Sequence, residues 1–355
     1  MENMKYDLSE LKKYSSIPPR GDKPFGEYLN GVINEYVMSQ LVLYKTGVLT
    51  PQDYKQIMDL CSRIRGVVDY GMKGLPYLAV TLFSEKVDFS FAIHKYSQGE
   101  SFYRMRVVED KRSLGVGELF HIPFSKQGKV ETQRYSASGL PCLYLGSSLY
   151  GCWEEMKRPA LQNCMFSRCE STKEFSCIDL VIPDALDSDK ELRKLLVTIP
   201  LIIACSIKVG KDHEDDVFKP EYIMPQTLLQ IVSMYDEGNK QMNRTDGIIG
   251  IRYKSVCQNT WFGFPDSKFD NVVIPAKSYG QEYDQRLCDI FKMTKPTCEE
   301  FERIRQRDIS FNGGGAADTR TPEDLYNESL FGSLESYIKD TITFPLQVVE
   351  NKNNK

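Results

Sequence analysis

The sequence predicts an α+β protein, on three observations. Between residues 102 and 275, apolar and alternating runs of strand length are mixed with helical stretches in no regular strand–helix repeat. Ahead of them, residues 28–68 carry apolar side chains at helical spacing, and behind them, from residue 281, the pattern turns helical again. These shifts divide the chain into an all-α N-terminal domain (1–97), a mixed core of short strands and helices (98–280) and a helical C-terminal extension with a polar tail (281–355). With 355 residues, 41% of them apolar and 26% charged, the chain is long enough for more than one core.

The elements follow in order. Residues 1–25 are polar and broken by Pro18-Pro19 and Gly21, which predicts a loosely packed or extended arm. Leu29, Ile33, Tyr36, Val37, Leu41 and Tyr44 then mark an amphipathic helix ending near Gly47. A second helix opens with Thr50 as cap, Pro51 in the first position and Asp53 at the positive end, and Tyr54, Ile57, Met58, Cys61, Ile64 and Val68 supply its buried face. The two predict an antiparallel hairpin, with residues 75–96 adding a third helix or a mixed segment. This half is expected to regulate or position the rest and to be separable from it near Ser97. It resembles nucleotide-binding helical domains, and that resemblance implies for a nuclease an arginine followed about four to six residues later by a histidine; no such pairing occurs here, so ribonuclease activity is not expected.

In the core, residues 102–108 alternate as a strand, and 119–124 form a short element. Residues 134–155, RYSASGLPCLYLGSSLYGCWEE, read as a turn, a strand over 142–145 and a helix after Ser147-Ser148. Strands are predicted at 164–169, 175–181 and 246–253, with 271–275 as the final core strand. Residues 187–205 read as helical in their first half, and the apolar run 195–207 is too short to span a bilayer and contains Pro200, so it is expected to be a buried helix or strand. A helix starts at Pro225. The Gly247 and Gly250 pair lacks the third glycine and following helix of a phosphate loop. Beyond the core, 281–293, 297–308 and 322–339 read as helices, with 312–315 as a joint.

Composition excludes several classes. A net charge of -4 and a pI near 5.7 disfavour binding of duplex nucleic acid. No signal-peptide stretch or eighteen-residue apolar run occurs, which predicts a cytoplasmic protein with no membrane partner. The ten cysteines are scattered and are expected to be reduced. Cys164 and Cys169 make one C-x4-C pair with no matching second pair, and the acidic group 214–216 lacks calcium-loop spacing, so no metal is expected. No Gly-x-Ser-x-Gly elbow exists for a serine hydrolase.

Four motifs occur in one order: FYRMR (102–106), R-Y-S-x-x-G-x-P-x-L-Y-L-x-x-S (134–148), YIMPQ (222–226) and DGIIGIRYKS (246–255). Over residues 100–276 this order resembles the RES domain, the family named for its arginine, glutamate and serine. Its members resemble ADP-ribosyltransferases and include NAD-degrading toxins. The resemblance implies an ADP-ribosyltransferase-like core. It also implies cleavage of the nicotinamide–ribose bond of NAD, with ADP-ribose passed to phosphate or water, as an NAD phosphorylase or glycohydrolase. NAD is then substrate, no cofactor is expected, and a protein inhibitor (antitoxin) and a homo-oligomer are possible partners.

By the same resemblance Glu155 holds the ribose and stabilises developing positive charge, with Glu154 as the adjacent alternative. Arg104 and Arg134 suit the pyrophosphate, since a guanidinium offers forked charged hydrogen bonds. Tyr144 would line the nicotinamide–ribose slot, and Ser255 would orient the ribose or Glu155. The plain structural alternatives are a surface ion pair for Arg104, a core ring for Tyr144, a solvated carboxylate for Glu155 and a strand hydroxyl for Ser255. At the level of function the alternatives are ADP-ribosylation of a macromolecule and an inactive nucleotide-binding sensor or assembly module.

Overall fold

The computed structural model describes residues 8–84, 89–108, 113–241, 247–257, 263–277, 280–305 and 321–346. The expected joint at 312–315, Asp246, the end of the predicted helix at 306–308 and the polar tail lie outside them. Helices and strands are mixed irregularly, so the α+β expectation holds. The N-terminal helices are α1 (Ser9–Lys12), α2 (Phe25–Lys45), α3 (Pro51–Met72) and α4 (Pro76–Ser84). Strands β1 (Ile93–Tyr96), β2 (Ser101–Val107) and β3 (Cys142–Gly146) follow, then α5 (Leu149–Glu155), β4 (Cys164–Ser171) and β5 (Phe175–Leu180). Next come α6 (Asp189–Ser206), α7 (Ile223–Gln241), β6 (Ile248–Lys254) and β7 (Asp270–Pro275). The chain closes with α8 (Gln285–Ile290), β8 (Phe291–Thr294), α9 (Glu299–Arg305), α10 (Pro322–Asn327), α11 (Leu330–Lys339) and β9 (Thr343–Pro345).

These elements form two compact units, each assembled from three chain segments. The first holds residues 1–95, 131–138 and 176–256; the second holds 96–130, 139–175 and 257–355.

In the first unit, Thr50 and Asp53 cap α3 reciprocally, each side chain bonding the other's backbone amide, with Pro51 in the first turn as predicted. Ile57, Leu60, Cys61, Ile64, Val67 and Val68 form its buried stripe, whereas Met58, expected inside, is largely exposed. Helix α3 packs on α2, α4, α6 and α7. Two glycines permit the close approach: a Cβ at Gly71 would lie 2.4 Å from Ile223 Cγ2 on α7, and one at Gly66 would lie 2.5 Å from Leu82 on α4. The expected loose arm at 1–25 is instead anchored where it is described. Ile17 bridges to Ile207 beyond α6, Tyr14 packs edge-on against Tyr36, and Arg20 pairs with the buried Glu221 at 3.1 Å. Strand order here is β1-β5-β6, with β5 and β6 parallel.

Helix α6 runs unbroken through Pro200, where the sequence predicted helix in the first half only. Proline has no N–H to give the carbonyl four residues back, which leaves the Leu196 carbonyl short of a donor. The buried Tyr36 hydroxyl, reaching across from α2, donates to that carbonyl. A partner distant in sequence thus repairs the defect. Tyr36→Phe is therefore expected to leave a buried carbonyl unpaired and to cost roughly 1–3 kcal/mol, measurable by denaturant unfolding. A loss below about 0.3 kcal/mol would show that the pairing has no weight.

In the second unit the strands run in the order β7-β3-β2-β4-β8-β9, and each pair whose register is resolved is antiparallel. Strand β7 was expected to be the last, but β8 and β9 extend this sheet from the C-terminal stretch, within which only residues 285–290 of the predicted 281–293 helix are helical. Four-residue and three-residue strands are too short to show a period against a helical background. On one face Tyr103 and Met105 of β2 join Leu149, Tyr150, Phe166, Phe269, Tyr326, Phe331 and Leu334 in a buried cluster that fixes α5, α10 and α11.

Candidate functional site

The five predicted site residues fall into two groups, Arg104, Tyr144 and Glu155 in the second unit and Arg134 and Ser255 in the first.

In the second unit, β3 lies between β2 and β7, with Gly146 opposite both Tyr103 and Asn271. The chain then turns sharply at Ser147-Ser148 into α5, whose N-cap Ser148 accepts the Gly151 amide at 2.8 Å. Two glycines make this turn possible. A Cβ at Gly146 would stand 2.6 Å from Cys152 Sγ, and one at Gly151 would stand 2.7 Å from the Lys268 carbonyl. The helix is thereby folded back over the ends of β3 and β7.

Adjacent carboxylates leave α5 in different directions. Glu155 is half-buried and its Oε1 accepts 2.8 Å from Asn271 Nδ2, at the start of β7. Glu154 is buried, and its Oε2 accepts 2.8 Å from Arg158, whose guanidinium lies over the Trp153 ring. Glu154 is thus tied into packing, and Glu155 is held beside the strand ends. Lys157 and Arg158, which stop the helix, both adopt left-handed backbone at φ 60° and 55°, a conformation that costs non-glycine residues roughly 1–2 kcal/mol each.

Arg104 donates through Nη1 to the carbonyl of Tyr144, so its link to that residue is through backbone and not the ring. Its Nε is shielded from water and has no hydrogen-bond partner among the described residues. Burial lowers its pKa, opposed by nearby Cys152, Cys169 and Tyr144. Arg106, on the same strand face, is exposed and donates to the Glu118 carbonyl at 3.0 Å. Tyr144 is half-buried, opposite Val273. Burial pushes the Cys152 thiol up to about 12, so it is an inert neighbour and no nucleophile.

In the first unit the motif order acquires a physical meaning. Arg134 donates to the carbonyls of Cys205 (3.2 Å) and Ile207 (3.0 Å) at the end of α6, and its guanidinium lies 5.4 Å from the centre of the Tyr222 ring. Gln226 donates 2.9 Å to the Gln133 carbonyl, and Tyr135 packs against Tyr253 with ring centres 4.4 Å apart. The R-Y-S turn is therefore gripped by Y-I-M-P-Q on one side and by R-Y-K-S on the other. Arg134 serves α6 by placing a cation at a helix C-terminus, a role the sequence did not suggest. Ser255 is fully buried just beyond β6.

Among the described residues no group of three or more His, Cys, Asp or Glu is arranged to hold a metal ion, and none of the helices is long and apolar enough to cross a membrane. His121 accepts the Asp284 amide at Nε2 and pairs with the Ile122 carbonyl at Nδ1; burial lowers its pKa, which suits a neutral structural ring.

A protein of Bacillus subtilis (strain 168) described as "Putative toxin YopC" is 32% identical over 355 residues, covering 91% of this chain and 77% of the relative. The chain belongs to the YopC family. No family model matches it. Among solved structures, the M. tuberculosis MbcT-MbcA toxin-antitoxin complex aligns over 68% of this chain and 91% of that one, with a TM-score of 0.31 and 11% identity. A likeness that low carries no weight here.

Sequence reasoning missed two residues that shape the site of this YopC-family protein. Asn271 follows Asp270 at the start of β7, ahead of that strand's apolar run, and Glu335 lies beside the apolar stripe of Phe331, Leu334 and Ile338 on α11. A polar side chain beside buried apolar positions was the available signal in both cases.

Proposed function

We propose that this YopC-family protein is an NAD-consuming toxin that breaks the bond between nicotinamide and ribose and passes ADP-ribose to phosphate or water. The observation that carries the reading is the half-buried Glu155 carboxylate, oriented by Asn271 at the strand ends while its neighbour Glu154 is absorbed in packing. In the reaction the C1′–N bond breaks, its electron pair neutralises the pyridinium ring, and nicotinamide leaves as a neutral base. The sugar is left oxocarbenium-like, and an oriented carboxylate stabilises that charge until phosphate or water adds and loses its proton. Arg104 supplies a fixed cation for the pyrophosphate, and Tyr144 lines the slot. Arg134 and Ser255 carry the same assignments by resemblance to the RES domain.

A cell making such an enzyme needs a brake, and a protein antitoxin is the partner we assign to it. Incubation of the purified protein with NAD, with and without phosphate, followed by mass analysis, tests the reading. Free nicotinamide with ADP-ribose or its phosphate is expected. A mass increase of added protein or nucleic acid would move the acceptor to a macromolecule. NAD that binds without turning over would make this an inactive nucleotide-binding module.

A further inference from the structure

Helix α5 has seven residues, too few to hold itself without help. Its first-turn amides are satisfied from outside. Ser148 takes the Gly151 amide, and the Leu149 amide donates 2.6 Å to Oε1 of Glu335 on α11. The same oxygen accepts the Tyr326 hydroxyl of α10, and the Tyr150 amide and Ser148 hydroxyl bear on that hydroxyl in turn. Helices α10 and α11 are folded tightly enough for this only because residue 332 is glycine: a Cβ there would lie 2.2 Å from the Tyr326 carbonyl oxygen. Glu335 is thus the half-buried end of a clamp that reaches from the C-terminal helices to the start of the helix whose last residue is Glu155.

We propose that Glu335 is a positioning residue: through the Leu149 amide it fixes the orientation of α5 and so holds the Glu155 carboxylate beside Asn271. The proposal rests on Glu155 being the reacting carboxylate. The groups facing Glu335 are Tyr326 and Glu323 from α10, Lys268 from the turn before β7, Tyr103 from β2 and Cys152 from α5. Burial dominates and pushes its carboxyl up to about 7. The Tyr326 and Leu149 hydrogen bonds and Lys268 pull it down, and Glu323 pushes it up further. Because its folded pKa lies above the unfolded value, the folded state binds the extra proton between about pH 4.5 and 7, and stability falls as pH rises through that window. The clamp is therefore half-ionised near neutrality.

The test compares wild type, Glu335→Gln, which keeps the acceptor oxygen, and Glu335→Leu, which removes it. All three carry Trp261→Phe, so that Trp153 on α5 is the sole tryptophan. For Glu335→Leu, kcat for NAD is expected to fall by about tenfold or more, with KM changed less than about threefold, because misplacing a reacting group costs rate more than binding. Glu335→Gln should stay within about threefold at pH 7. It should also lack the inflection near pH 7 that is expected for wild type in both kcat and Trp153 emission.

Wild-type kcat in Glu335→Leu, equal losses in both variants, or identical Trp153 titrations in wild type and Glu335→Gln would each overturn the proposal. The Trp153 titration needs no substrate. If wild type does not cleave NAD, the functional reading fails while the emission comparison still decides the clamp, and it also decides if Glu335→Leu does not fold.

Discussion

Replacing Glu155 by glutamine is expected to lower NAD cleavage on the order of a hundredfold or more, with the fold and NAD affinity largely kept. The amide has the shape of the carboxylate, and its oxygen can still accept from Asn271 Nδ2, so the local packing survives. What disappears is the negative charge that meets the developing sugar cation, and charge placed where charge develops is usually the largest single contribution to such a barrier. Glu154→Gln should behave oppositely. It weakens the bond between the buried Glu154 carboxylate and the exposed Arg158 guanidinium, so thermal stability should drop modestly while turnover per folded molecule changes less than about threefold. Turnover by both variants under saturating NAD, normalised to the folded fraction, separates the two. An active Glu155→Gln beside a dead Glu154→Gln would exchange their assignments.

The second large effect concerns the N-terminal helices. A chain beginning at Ser97 is expected to be insoluble or to unfold without a cooperative transition. Twelve consecutive residues of α6, from Leu195 to Ser206, are buried, and α2 and α3 of the same unit supply much of the cover. Each large apolar side chain returned to water costs about 1.5–3 kcal/mol, and whole domains are stable by only about 5–15 kcal/mol. Uncovering even part of that run outweighs the total. Soluble yield and a thermal melt of the shortened chain decide the matter, and a sharp transition with full solubility would show that the helices are dispensable for folding.

That expectation differs from the separability near Ser97 that the sequence suggests, and the reason is physical. Periodicity and caps report how a segment folds locally, and on that level the reading was good: α2, α3, the turn into α5, and strands β2 to β7 lie within a few residues of expectation. Which buried faces meet is a long-range property. Nothing near Pro200 announces that Tyr36 completes its helix, and nothing near Ile17 announces Ile207.

The candidate site divides the same way. The spacing of FYRMR, the segment 134–155 and RYKS made Arg104, Tyr144, Glu155, Arg134 and Ser255 legible as candidates. Asn271, which binds Glu155, and Glu335, which binds the Leu149 amide at the start of the same helix, come from elements more than a hundred residues later, where a polar side chain beside apolar positions was the whole signal.

The clamp between α5 and α11 also sets a clock. Glu335 is made about 180 residues after Glu155, and at roughly 5–20 residues per second a ribosome needs on the order of ten to forty seconds to supply it. Until then the Leu149 amide has no acceptor from α11, and the sheet of the same unit lacks β8 and β9. A nascent chain therefore carries Glu155 on an unfinished helix for about half of its synthesis. On the proposed function a host gains that interval, and truncated products of abandoned translation lack the piece that completes the α5 clamp.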